Sequence, residues 1–262
     1  MAAPSPTCSE RCGYTICLHR GCIPTKALLH AAEIADGARE GSHFGVKSTF
    51  DGIDMAGVNS YKDGVIAGLH KGLQGLVKSR NITYVEGTGR LVSANTVEAN
   101  GVQYVGKNVV LATGSYARTL PGLDIDGKRV ITSDHGTSMD YVPKSVIVLG
   151  GGVIGCEFAS TFADLGSTVT ILEGLPKILP GLDPDVANFV VKSFKKKNID
   201  IRTGVKVNGH EPTTSGGTTV LGGEGERLDV DAVIVSVGRK PFTDHLGLTG
   251  TAVKVTDRGF VD

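Results

Sequence analysis

The sequence predicts an α/β fold made of two Rossmann-like, doubly wound units, the first incomplete and the second nearly complete. Three observations carry this prediction. Short apolar runs alternate with helical stretches, a Gly150-x-Gly152-x-x-Gly155 turn joins an apolar run to a helical one, and an acidic residue, Glu173, closes the next run. The 262 residues suffice for two units, and a 40% hydrophobic content with mean hydropathy +0.04 excludes a disordered chain. Basic and acidic residues balance at 27 each, so no net field would draw the chain to a polyanion. Glycine, at 37 residues, is about twice its usual share, while aromatics are only 5%, which favours backbone turns around a ligand over an aromatic pocket. No window reaches the roughly 18 uncharged apolar residues of a membrane span, and Met1 to Arg20 lacks the apolar core of a secretory signal. The expectation is a soluble, cytoplasmic protein.

Element by element, Met1 to Arg11 has no period of either kind and reads as irregular. From Pro24 a run of good helix formers with an apolar stripe predicts a helix to about Arg39. A second helix is predicted from Met55 to Lys78, where Val58, Tyr61, Val65, Leu69, Leu73 and Leu76 recur every three or four residues. Strands are expected at Ile82 to Glu86, Leu91-Val92 and Thr96 to Ala99, and a buried parallel strand at Asn108 to Ser115. After Pro143 a new unit opens with strand Ser145 to Leu149, helix Val153 to Leu165 and strand Thr168 to Leu172. A helix from Asp183 to Lys197 follows, with Asp183 as cap and Pro184 at its first position. Strands are predicted at Ile199 to Arg202, Thr218 to Leu221 and Asp231 to Val237, with a hairpin between the Gly-rich stretches near Ser215 and Gly222. This division gives domains 1–143 and 144–262.

In the glycine turn, Gly150 permits the bend, Gly152 lets backbone N–H groups approach a pyrophosphate, and Gly155 lets the helix pack against the strand. Glu173 lies 23 residues after Gly150, where a carboxylate can take both hydroxyls of an adenosine ribose; this favours NAD over NADP, with Lys177 nearby as the opposing charge. The second signal is Cys17-Leu-His-Arg-Gly-Cys22-Ile-Pro-Thr-Lys26 at the start of a helix. The helix N-terminus, His19, Arg20 and Lys26 favour a thiolate there, as an exchangeable disulfide requires. Two alternatives stay open at this point: a metal cluster that adds Cys8 and Cys12, and inert buried thiols.

Together with Ala112-Thr-Gly-Ser, Gly150-Gly-Gly-Val-Ile-Gly-Cys-Glu-Phe and Val237-Gly-Arg-Lys-Pro, the cysteine motif closely resembles the flavin-dependent pyridine-nucleotide disulfide oxidoreductases, and among them the dihydrolipoyl dehydrogenase group. The resemblance implies that Cys22 is the thiol facing the flavin of FAD and Cys17 the thiol that exchanges with substrate. It implies a Lys26–Glu157 ion pair beside the flavin's reactive edge. Gly89, Thr113, Gly114 and Ser115 would contact FAD. Gly150, Gly151, Gly152, Val153, Ile154, Gly155, Glu173, Val205 and Gly238 would contact NAD. No metal is implied. The partner it implies is the lipoyl-bearing carrier protein of a 2-oxoacid dehydrogenase complex.

The departures from that pattern matter as much. The family's opening strand and its own glycine turn for FAD are replaced by Met1 to Arg11, and the usual Gly-Gly-Thr-Cys entry reads Cys12-Gly-Tyr-Thr-Ile-Cys17. The family's later Gly-Asp signature and its C-terminal interface domain, with a His-Glu acid–base dyad and most of the homodimer contact, have no counterpart, and none of the seven histidines sits in a comparable setting. The expectation is the middle of such an enzyme, with a partial FAD domain at 1–143 that retains flavin weakly and an NAD domain at 144–262 that folds. Related readings are a glutathione- or mercuric-type disulfide reductase, an NAD-binding module without flavin, and a metal-binding protein.

Overall fold

A computed structural model describes residues 16–262. Its elements in chain order are α1 (Ile16–His19), α2 (Cys22–Glu40), α3 (Met55–Ser79), β1 (Gly89–Ser93), β2 (Thr96–Ala99), β3 (Val102–Val105), β4 (Ser115–Ala117), β5 (Val130–Thr132), α4 (Ser133–Gly136), β6 (Ser145–Leu149), α5 (Val153–Leu165), β7 (Thr168–Glu173), α6 (Pro184–Lys196), β8 (Asp200–Thr203), β9 (Val207–Pro212), β10 (Thr218–Gly222), β11 (Arg227–Val230), β12 (Ala232–Val235) and β13 (Arg239–Pro241). They group into two units, neither continuous in sequence. The larger comprises Arg20–Ile66 and Ala117–Gly238; the smaller comprises Ala67–Tyr116, Arg239–Asp262 and the described residues up to His19. Position 143 lies inside the larger unit, because β5 precedes it and pairs with β12.

The larger unit is built on a five-stranded parallel sheet of order β5-β12-β6-β7-β8. Because side chains alternate across a strand, Val146 and Val148 of β6 and Ile234 of β12 join the core beneath α5 and α6. Ile147 and Leu149 of β6, with Val233 and Val235 of β12, join a second core. Both faces are therefore covered, as a parallel sheet of such apolar strands requires. The second face is covered by a three-stranded antiparallel meander, β9-β10-β11, which supplies Val207, Val220, Leu228 and Val230. The sequence pattern indicates two strands of this meander at most, since Asn208-Gly209-His210-Glu211-Pro212 in β9 carries strand-breaking residues.

Helix α6 starts where its cap predicts: the Asp183 carboxylate accepts the Asp185 N–H at 2.8 Å, and Pro184 fills the first position. Helix α5 ends at Gly166, whose φ of +107° closes the last turn. Helix α2 lies against α5, with Ala32 packed in one cluster with Leu165 and Ala27, Leu28 and Ala35 also buried. At its far end Arg39 donates to the Asp164 carbonyl, while Lys197 holds the Asp164 carboxylate at 2.6 Å.

The smaller unit departs most from expectation. Ile82 to Glu86 forms no strand, and Asn108 to Gly114 forms none either; only Ser115 starts β4, which pairs with β13. Val110, expected to be buried, is 85% exposed. A parallel strand is held by neighbours on both edges and cover on both faces, and these segments meet no partner strand among the described residues. The runs around Leu91 and Thr96 instead join β3 in an antiparallel three-stranded sheet, β1-β2-β3.

Replacing Asp183 by Ala should lower stability by about 1 kcal/mol, the usual worth of such a cap, without changing ligand binding; equilibrium denaturation with urea measures it.

Candidate functional site

Strands β7 and β8 extend the sheet on one side of β6, and β12 returns to its other side, so the strand order reverses between β6 and β12. Ligands of open α/β sheets bind outside the carboxyl ends of the strands at such a switch point. A cleft of about 1020 Å³ lies there. Of the residues expected to contact NAD, Gly150, Gly152, Val153, Ile154, Glu173, Val205 and Gly238 line it, whereas Gly151 and Gly155 do not.

Each glycine of the turn has a distinct steric reason. A Cβ at Gly155 would sit 1.9 Å from the Gly150 carbonyl oxygen, so only glycine lets α5 approach the end of β6. Gly150 has φ +104°, and a Cβ there would meet the Ser236 carbonyl at 2.6 Å. A Cβ at Gly151 would lie 2.4 Å from Ile178 Cγ2. A Cβ at Gly152 would meet nothing within 4 Å, and Gly152 lines the cleft.

Glu173 is fixed by two backbone donors: Gly151 N–H to Oε2 at 2.6 Å and Leu175 N–H to Oε1 at 2.8 Å. The carboxylate is thus pre-oriented at the cleft wall as an acceptor. Ser236, Pro121, Pro180, Lys206 and Asn208 also line the cleft and were not singled out in the sequence. For Ser236 a signal existed: it follows an apolar run beside a glycine-rich turn, and its hydroxyl bonds the carbonyls of Leu149 and Gly150 at 2.9 and 3.2 Å. Lys177 does not line the cleft; Lys206 does.

The second group of candidates sits on α2. Cys17 and Cys22 are disulfide-bonded, with Cys22 the first residue of α2. One turn on, Lys26 forms an ion pair with Glu157 of α5, 60% and 21% exposed respectively, so helix packing brings together residues 131 positions apart. Cys8 and Cys12 lie outside the described residues. Among those described, no cluster of three or more His, Cys, Asp or Glu is arranged to hold a metal.

Gly89, Thr113, Gly114 and Ser115 fall in the smaller unit. Gly89 opens β1. Thr113 Oγ1 donates to the Phe242 carbonyl at 2.6 Å, Gly114 O accepts the Phe242 N–H at 2.9 Å, and Ser115 Oγ accepts from Arg239 Nε at 2.7 Å. Gly114 has φ +73°, and a Cβ there would be 2.5 Å from Ile16 Cδ1.

The sheet order and the glycine turn at its switch point define a dinucleotide-type α/β fold, here carrying a redox-type cysteine pair. The chain belongs to the pyridine nucleotide-disulphide oxidoreductase family, whose model matches residues 12–262. It is 38% identical over 253 residues to a dihydrolipoyl dehydrogenase of Geobacillus stearothermophilus, covering 94% of this chain and 54% of that protein. It is 35% identical to a leghemoglobin reductase of Vigna unguiculata, covering 96% and 50%. The chain therefore spans about half the length of the curated relatives it matches. Among solved structures, the HOCl-induced flavoprotein disulfide reductase RclA of Escherichia coli superposes with TM-score 0.80 at 27% identity, covering 97% of this chain and 55% of that one. LpdA of Mycobacterium tuberculosis, at TM-score 0.81 and 23% identity, shares the fold.

Two glycine variants separate folding from binding. Gly155→Ala should cost about 3 kcal/mol or more through the clash with the Gly150 carbonyl, whereas Gly152→Ala should melt like the parent yet bind NADH more weakly because its methyl enters the cleft. Thermal melts paired with NADH titration check both. Glu173→Gln places an amide where two backbone donors already point, so one oxygen acceptor is lost; the same pair of measurements should show lower stability and lost NADH affinity.

Proposed function

We infer that this chain is the nucleotide-binding and disulfide-bearing part of a flavin-dependent disulfide oxidoreductase of dihydrolipoyl dehydrogenase type, using FAD and NAD. One observation carries the reading: α2, which begins at Cys22, is tied through Lys26 to Glu157 on the helix that opens at the glycine turn. The cleft of the larger unit then serves NAD, and the cysteine pair with Lys26 serves the electron transfer to the flavin.

The donor set fits the groups proposed. At the cleft, Gly152 leaves its open side to a pyrophosphate and Glu173 offers a fixed acceptor to a ribose diol. Lys26 would present an ammonium to the flavin's reactive edge, with Glu157 keeping it there, and Gly89 and Thr113 to Ser115 would contact the rest of FAD. Bound FAD would supply the two-electron relay between the cysteine pair and the nicotinamide.

The chain's own chemistry is thiol exchange. A substrate thiolate attacks Cys17 Sγ, the Cys17–Cys22 bond breaks, and Cys22 leaves as a thiolate at the N-terminus of α2, where the helix dipole favours negative charge. The second substrate thiol, deprotonated, then attacks the mixed disulfide at the substrate sulfur and frees Cys17 as a thiolate. The substrate proposed is dihydrolipoamide on the carrier protein of a 2-oxoacid dehydrogenase complex, in the cytoplasm. Among the described residues no helix is long and apolar enough to cross a membrane.

A second reading, an NAD-binding module without flavin, is favoured by the exposed segment around Val110, which meets no partner strand among the described residues. A visible spectrum of the purified chain, taken after adding FAD and gel filtration and again after adding NADH, tests both. A retained band at about 450 nm that bleaches with NADH supports the oxidoreductase, and a colourless protein that still binds NADH leaves the module. Lys26→Met should weaken flavin retention while altering stability by about 1 kcal/mol, because the lysine end of the pair is exposed although Glu157 is mostly covered; flavin titration and melting together measure this.

A further inference from the structure

The middle glycine of the turn does more than bend the chain. Gly151 N–H goes to Glu173, and its carbonyl accepts two donors from below: Leu179 N–H at 2.8 Å and Cys156 S–H at 3.5 Å. That carbonyl shares a peptide plane with the Gly152 N–H. In a trans peptide the two point in opposite directions. Holding Gly151 O inward therefore turns the Gly152 N–H the opposite way, and Gly152 lines the cleft, where an added Cβ would meet nothing within 4 Å.

We propose that Cys156 is a positioning residue for the dinucleotide site: its thiol, by donating to Gly151 O, sets the orientation of the peptide that offers its N–H to the nucleotide pyrophosphate. The proposal rests on the reading of the cleft as a dinucleotide site. Cys156 is a free cysteine, 7% exposed, in the first turn of α5. Burial, with the charges of Glu157 and Glu173 adding, pushes its thiol up to about 12. It thus stays protonated, a donor, and is kept out of the exchange chemistry of Cys17 and Cys22. Leu179, the second donor, adopts the left-handed conformation at φ +52° while buried, so the segment after β7 also bends to reach this carbonyl.

The test compares Cys156→Ala and Cys156→Ser in the full chain by NADH titration, with melting temperatures alongside. Alanine removes the donor and should weaken NADH binding about two- to five-fold, the worth of a weak hydrogen bond. Serine keeps a donor and should restore the parent affinity, although its hydroxyl in an apolar setting gives no higher melting temperature than alanine. A purely structural role would make affinity follow stability. NADH binding by Cys156→Ala equal to the parent's, or equal losses in both variants, overturns the proposal. If the parent chain itself fails to bind NADH, the functional reading fails, and the carbonyl ¹³C shift of Gly151 decides the present point. A shift altered in alanine and recovered in serine upholds it, and an unaltered shift in alanine overturns it.

Discussion

Helix α5 rests so close to the end of β6 that the Gly155 Cβ position would overlap the Gly150 carbonyl oxygen. That approach sets the geometry of the larger unit's working edge. It points the first turn of α5, where N–H groups have no intrahelical acceptor, at the carboxyl ends of the strands. It also places Gly151 where Glu173, Leu179, Cys156 and Ile178 converge on it from four sides. The cleft is thus a consequence of one strand–turn–helix contact, with Ser236, just after β12, bonding the carbonyls of Leu149 and Gly150 at its wall.

A second constraint is the contact of α2 with α5. Burial of apolar residues such as Ala27, Leu28, Ala32 and Ala35 on α2 stabilises it, and the Lys26–Glu157 pair, exposed at its lysine end, adds less. The pair matters by direction, holding an ammonium one turn from Cys22. At the other end Asp164 is buried, which raises its carboxyl above the usual range, and Lys197 opposes that shift by bonding the charged form. The two ends together register α2 along α5, so the helix that starts at the disulfide and the helix that starts at the glycine turn behave as one packed pair.

The smaller unit shows what the same residue types do where the described residues give them no partner strand. Its antiparallel sheet leaves Val102, Tyr104 and Val105 exposed, and Val110 more so. The apolar pattern of Asn108 to Leu111 matches that of Ser145 to Leu149 closely, yet only the latter is a strand. The difference lies in neighbours: β6 has β12 and β7 on its edges and two cores on its faces.

Local signals made much of this legible. The cap at Asp183, the helical stripes of α2 and α3, the glycine spacing and the carboxylate at the end of β7 each depend on residues within a few turns of one another, and each is readable without coordinates. The Lys26–Glu157 pairing was implied only by family resemblance, since nothing local joins residues 131 apart. The tertiary structure alone decided that β9 completes a meander, that Lys206 and not Lys177 lines the cleft, that the run at Asn108 meets no partner strand among the described residues, and that Glu173 and Leu179 converge on the middle glycine. Those outcomes depend on which surfaces meet after the chain has folded, whereas caps, turns and periodicity are settled by the chain's own covalent neighbourhood.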